Sequence, residues 1–459
     1  MQTIPKIIAL TLLIASCSVG PDYKQPQVYS DEAINESIGL KNNPELIIDH
    51  QWYKTFGDEQ LNKLVEDGLK SNPDVKSAIE KMQQSRLKLQ IARADFGPMI
   101  NAKGEYSDAK TFQTPEIKTK NDYFMTGFDA TWEIDIWGKN RRQTESAKAF
   151  LQATQNNYNN MKISLRAEIT KTYVNYRLNE KLLQTVRENY RLQSEILQIV
   201  EAKYKAGLAD DLALEQAKSA KLSSQVQIPD YEIALKAAQN SLSTLTSKLS
   251  DQLQLSDSNL LEHIPQITTE GLTQLPADVI RSRPDVQYYE RILASQNALI
   301  GAEIAELFPN LSLSGLFGWQ NNTLAPIFAN KYEVYSMGGN LALPILNWGK
   351  LRNNIKLQES AAREAYNDYQ KALLSATSDV SNAIKNLREQ QIKLNSADAN
   401  RRTNNKILDL SMLKYQNGLT DFTDVLYAQE NKLSTDKEYY QTLANLYTGI
   451  VGFYKAIGF

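Results

Sequence analysis

Apolar and polar residues alternate with a period of two from Ile100. Ile100, Ala102, Gly104 and Tyr106 share one face, and Asn101, Lys103, Glu105 and Ser107 share the other. The alternation returns, longer, over Phe124, Thr126, Phe128, Ala130, Trp132, Ile134 and Ile136. Such a period places every second side chain on one side of a strand, so the two runs predict a β-hairpin. The polar stretch from Lys110 to Asp122 is its expected surface loop. A second hairpin is predicted from Leu311, Leu313, Gly315, Phe317 and Trp319, returning through Tyr335, Met337, Gly339, Leu341, Leu343 and Ile345.

After each hairpin the pattern changes. From Gly138 to about Ala206, and from Gly349 to about Asn417, nearly every residue favours a helix. Each run implies a helix of about 100 Å at 1.5 Å per residue. Apolar residues recur at mixed three- and four-residue spacing (Leu165, Ile169, Tyr173, Tyr176; Ile196, Ile199, Val200, Tyr204), which predicts a coiled-coil-like seam. Gly207 and Gly418 suit a left-handed helix stop, and Asp210 and Asp421 then open return helices. Each half therefore makes a helical hairpin with a tight tip. Pro229 is expected to bend or break the first return helix, whereas Tyr440 at the matching position leaves the second straighter. A short helix from Leu61 and another from Asn72-Pro73 to about Asp95 precede the first hairpin, with proline at the first helical position.

The two halves are copies. Trp137-Gly138-Lys139 matches Trp348-Gly349-Lys350 at an offset of 211 residues (348 minus 137). Pro73-Asp74-Val75 and Pro284-Asp285-Val286, Pro98 and Pro309, and Lys203-Tyr204, Gly207-Leu208 and Asp210 with Lys414-Tyr415, Gly418-Leu419 and Asp421 keep that offset. Anchors without a net gap mark an internal duplication. The expected organisation is a first repeat at 61–250, a linker at 251–271 and a second repeat at 272–459. Residues 1–16 and 17–60 precede them as a signal peptide and an extended arm, with Gly20-Pro21-Asp22-Tyr23 and Trp52-Tyr53 as the arm's contact points on the body.

Composition narrows the class. Fifty-one basic against 53 acidic residues leave no nucleic-acid footprint. Mean hydropathy is −0.45, and past the extreme N-terminus no apolar run approaches the roughly 20 residues of a spanning helix. A β-barrel carries a weaker signal and stays open, as does a half-buried sheet. Four strands fall short of the roughly eight of the smallest barrel, so a membrane reading requires several chains in one barrel. The one cysteine, Cys17, follows Lys6, the apolar Ile7 to Ile14 and Ala15-Ser16, the parts of a secretory signal. Leu13-Ile14-Ala15-Ser16-Cys17 resembles a bacterial lipobox, with Cys17 the acylated residue of an outer-membrane lipoprotein. The two histidines, His50 and His263, lie far apart, and no paired-histidine helix, phosphate loop or nucleophile elbow is present. No enzyme, metal site or cofactor beyond that lipid is expected.

The lipobox, the Gly20-Pro21-Asp22-Tyr23 start, the duplicated Tyr-x-x-Gly-Leu tips and Thr423-Asp424-Val425-Leu426 with Ala428-Gln429 resemble the TolC-like outer-membrane efflux factors, in their OprM- and CusC-like lipoprotein branch. The resemblance covers essentially the whole mature chain. It implies an α+β membrane protein whose homotrimer forms a twelve-stranded β-barrel in outer-membrane lipid, continued by an α-helical barrel through the periplasm. Such a duct exports small molecules passively in a tripartite system, with an inner-membrane pump and a periplasmic adaptor that grips the tips at Gly207, Leu208, Gly418 and Leu419. Carboxylates after the second tip ring the closed aperture in that family. Asp424 matches one such position, and Tyr427 replaces an aspartate often found three residues on. An aspartate ring backed by a tyrosine ring, with Thr423 beside it, is the expected gate, favouring cations over anions. Asp421 is expected to cap its helix instead. The rivals are a type I secretion exit duct, a periplasmic adaptor and a structural coiled-coil lipoprotein.

Overall fold

A computed structural model of the chain describes residues 18–38, 50–112, 118–263, 265, 278–325 and 327–459. Cys17 and the signal segment lie outside the described residues, as does most of 251–271 beyond His263. In chain order the elements are α1 (Asp31–Ile38), α2 (Glu59–Ser71), α3 (Pro73–Ala94), β1 (Met99–Phe112), β2 (Lys118–Ile134), α4 (Lys139–Lys205) and α5 (Asp211–Thr246). The second repeat follows with α6 (Asp278–Arg281), α7 (Pro284–Ala305), β3 (Asn310–Asn321), β4 (Glu333–Ala342), α8 (Lys350–Gln416) and α9 (Phe422–Ala456). The long helices α4 and α8 are both 67 residues, as the two uninterrupted polar runs require.

Three expectations need correction. The hairpin loop is far shorter than Lys110 to Asp122, because β1 and β2 stay paired out to Phe112 opposite Lys118. Cross-strand hydrogen bonding extends past the point where the apolar face gives out. Pro229 does not break α5, which runs through it to Thr246. The missing N–H removes one bond of the ladder, and the helix continues on both sides of it. A short helix, α1, also interrupts the N-terminal arm, where prolines and polar residues gave no periodic signal.

The chain divides into two compact units. One holds the described residues up to Gln27 with Glu80–Asn156 and Gln287–Lys371. Its four strands form one antiparallel sheet in the order β1-β2-β3-β4, so the two hairpins join through β2 and β3. Register carries the alternation across all four strands. Ile100 lies opposite Ala130, Ala130 opposite Gly315 and Gly315 opposite Met337, all on the apolar face. Tyr106, Phe128, Phe317, Tyr335 and Met337 on that face are exposed, Met337 to 90%. The reverse face is polar: Asn101 donates to Asp129 (3.3 Å), Lys103 pairs with Glu105 (2.7 Å), and the Tyr123 hydroxyl donates to Glu105 (3.2 Å).

Where β2 turns into α4, the Asp135 carboxylate accepts the backbone N–H groups of Asn140 (3.1 Å) and Arg141 (3.0 Å), satisfying donors at the helix start. The arm is seated against this corner. Val19 donates to the Trp137 carbonyl (3.1 Å), and buried Arg142 donates to the carbonyls of Val19 (3.1 Å) and Gly20 (3.2 Å) and to Asp22 (2.8 Å). Gly20 packs on Gly301 backbone to backbone, where a side chain on either would collide.

The other unit comprises Val28–Ile79, Asn157–Val286 and Ala372–Phe459. Asn72 accepts from the N–H groups of Asp74 (2.8 Å) and Val75 (3.4 Å), capping the helix that Pro73 opens. A buried polar knot ties the linker to α4. Tyr173 donates to Asp58 (2.7 Å), and Arg177 donates to the Tyr173 hydroxyl (2.9 Å) and the Ser256 carbonyl (2.6 Å). Burial raises the Tyr173 phenol above its ordinary range, so it stays a donor to the carboxylate.

Candidate functional site

The candidate site is the pair of helical tips and the first turns of α9, all within the second unit. Both tips stop in the same way. At the first, the Gly207 N–H reaches the Tyr204 carbonyl (2.9 Å) and the Leu208 N–H the Lys203 carbonyl (2.8 Å). At the second, Gly418 reaches Tyr415 (3.1 Å) and Leu419 reaches Lys414 (2.9 Å). These paired bonds form a Schellman motif around a glycine in the left-handed region, φ +72° at Gly207 and +68° at Gly418. The motif ordinarily packs the residue after the glycine against an apolar residue one turn back. One of the positions for that contact holds Lys203 or Lys414 here, and Leu208 and Leu419 stand 76% and 75% exposed.

The helix starts after the tips differ. Asp210 accepts the Ala213 N–H (2.9 Å), a regular N-cap. Asp421 occupies the N-cap position, but its side chain makes no capping bond, contrary to the expectation that it serves as the cap. Beside it, Thr420 donates to Asp424. Phe422, Val425, Ala428 and Gln429 are buried, whereas Asp424 and Tyr427 stand exposed one turn apart and Thr423 is half-buried. A spacing of three residues keeps Asp424 and Tyr427 on one helix face, which this chain leaves uncovered.

A contact that the sequence reading missed links the two hairpins. Lys203, at the end of α4, donates to the carbonyl of Tyr415 in α8 (2.9 Å), and its ammonium lies 3.8 Å from that ring's centre. Tyr415 packs on Phe422 (5.7 Å between ring centres). Both belong to a core with Ile196, Val200, Ala217 and Val425 drawn from α4, α5, α8 and α9. The equivalent Tyr204 is 40% exposed instead of 7%. Its phenol is raised by a hydrogen bond to Asp211, whereas that of Tyr415 is raised by burial. Lys-Tyr occurs at both tips in the sequence, so the signal was present, but spacing alone did not say which pair would meet.

Nearby, a cavity of about 200 Å³ is lined by Gln193, Gln216, Ser219, Ser223, Gln227 and Glu430 among others. The buried Gln193 carbonyl oxygen finds no protein partner among the described residues. Among those residues no cluster of three or more histidine, cysteine or carboxylate side chains forms a metal site, and His50 stacks on Phe459 (4.8 Å).

The outer membrane efflux protein family model matches residues 64–248 and 275–458, one stretch in each repeat. The chain is 28% identical over 430 residues to nodulation protein T of Rhizobium leguminosarum bv. viciae, covering 92% of this chain and 86% of that one. It is 25% identical over 453 residues to the cation efflux system protein CusC of Escherichia coli strain K12, covering 97% and 95%. The fold is similar to that of the outer-membrane channel OprN, with a TM-score of 0.88 at 26% identity, covering 96% of this chain and 99% of that one.

Proposed function

The chain belongs to the outer membrane efflux protein family, and from that premise we propose that three copies close one barrel and form a gated passive duct. It is the outer-membrane channel component of a tripartite efflux system, working with an adaptor and an inner-membrane pump, and it is not an enzyme. The carrying observation is the sheet. Its four strands leave the edges of β1 and β4 unpaired among the described residues, beside an exposed apolar face. Unpaired edges in lipid cost several kcal/mol per polar group, so closure by further copies is the physical remedy. Three copies give twelve strands.

The exposed Asp424 and Tyr427, with Thr423 beside them, form the gate in this reading. Three Asp424 carboxylates around one axis repel anions and attract cations, and the Tyr427 rings narrow the opening. Leu208 and Leu419 at Gly207 and Gly418 are the adaptor's apolar footholds; their exposure supports this role. A lipid on Cys17 anchors the mature chain. Ser18, the residue after Cys17 in the sequence, packs against Gly138 at the strand–helix corner. An anchor there lies where the apolar sheet gives way to polar helices.

Single-channel conductance of the purified protein in planar bilayers tests the gate. A small wild-type conductance should rise severalfold in Asp424→Ala and lose part of its cation preference. A pore that the substitution leaves unchanged places the gate elsewhere, and well-folded trimers without conductance refute the duct.

A further inference from the structure

The duplication holds to the residue in three dimensions, and this makes one junction inside the chain a template for a junction between chains. Partners in β1–β2 have numbers adding to 230 (Met99 with Thr131), and partners in β3–β4 add to 652 (Asn310 with Ala342). The difference is twice 211, so the two hairpins share one register. Between them, β2 meets β3 with partners adding to 445 (Phe124 with Asn321, Ile134 with Leu311). The same offset turns β2 into β4 and β3 into β1.

We infer that β4 of one copy pairs with β1 of the next in the register of the β2–β3 junction, and that Trp348 and Lys350 lock this seam; the inference rests on the trimeric reading. Raising one partner by 211 and lowering the other by 211 keeps the sum at 445. Gly339 then lies opposite Tyr106 of the neighbouring copy, Leu341 opposite Gly104, and Gly338 opposite Ser107. The transferred register keeps the faces matched. Leu341 and Gly104, like Gly339 and Tyr106, belong to the apolar face of their strands, so the seam continues that face from copy to copy.

The polar contacts transfer as well. At the internal junction the Trp137 indole N–H donates to the Pro309 carbonyl (2.8 Å), and Lys139 pairs with Glu306 (2.5 Å). Their counterparts are Trp348 with Pro98 of the next copy, and Lys350 with its Asp95. Tryptophan, lysine, proline and an acid are all retained at the matching positions. In the single chain Lys350 and Asp95 are exposed, and Trp348 is 90% exposed with a φ of +51°, uncommon for a bulky residue. The indole thus projects where a second chain would cover it. One contact is not retained. Trp137 stacks on Phe308 (4.7 Å), whose counterpart is Gly97, so the seam between copies lacks that ring pair.

Engineered disulfides in the full-length protein test the register. Gly339→Cys with Tyr106→Cys, and Gly338→Cys with Ser107→Cys, should give covalent ladders reaching three chains on non-reducing gels. The pair shifted by two residues, Gly339→Cys with Gly104→Cys, should link roughly tenfold less, because a slip of two residues takes the sulfurs out of bonding range. Each single-cysteine variant controls for Cys17. Native mass measured on the same samples separates the two ideas. Trimers in which the shifted pair links preferentially, or in which neither in-register pair links, overturn the register and leave the trimer standing. Chains that stay monomeric overturn the trimeric reading itself.

Discussion

The two helical tips have one backbone and two chemistries. Each ends in a glycine-centred Schellman stop with an exposed leucine, matched bond for bond. The side chains around them diverge. At the first tip the aspartate caps its own helix and the tyrosine is 40% exposed. At the second the tyrosine is sealed under Lys203 and against Phe422, and the aspartate at the N-cap position makes no capping bond with its side chain. Duplication copied the turn, and burial then chose which copy became structural. The second tip is held by packing against the first hairpin. With that support the face of Asp424 and Tyr427 stays exposed, as the proposed gate requires.

Removing packing should separate the tips most. Phe422→Ala deletes a buried ring and should lower the opening free energy around Tyr415 to Val425 by about 3–5 kcal/mol. Tyr204→Ala at the first tip should stay within about 0.5 kcal/mol. Amide hydrogen exchange resolved by segment reads both, and equal losses would abolish the contrast. A smaller effect is expected at the bridge. Lys203→Gln removes a cation–π contact and a charge near the end of α8, and should cost about 1–2 kcal/mol of protection at the second tip with little change at the first. An unchanged second tip would mean that the apolar core alone joins the hairpins. Smallest is the cap comparison. Asp210→Ala should cost about 1 kcal/mol at the start of α5, and Asp421→Ala less than about 0.5 kcal/mol at the start of α9. A reversed order would show that Asp421 caps its helix in solution.

Local rules made much of this chain readable. Residue type and spacing set the two 67-residue helices, because no glycine or proline interrupts them and a glycine ends each. Alternation placed four strands and their apolar face. Where local rules ran out, a distant partner decided. β1 and β2 continue to Phe112 and Lys118 because each hydrogen-bonds to the other, whatever the polarity of the side chains. The arm's seat on Arg142 joins residues more than a hundred positions apart, beyond any periodicity.

The sequence by itself determined the repeat, the lengths of its helices, the faces of its strands and the glycine stops, since all are consequences of backbone geometry and nearest neighbours. Tertiary structure alone decided which tyrosine is buried, which lysine covers it, which aspartate caps and which is left facing outward. Those outcomes depend on which hairpin lies against which, and copies related by one offset carry nearly the same local signal in both.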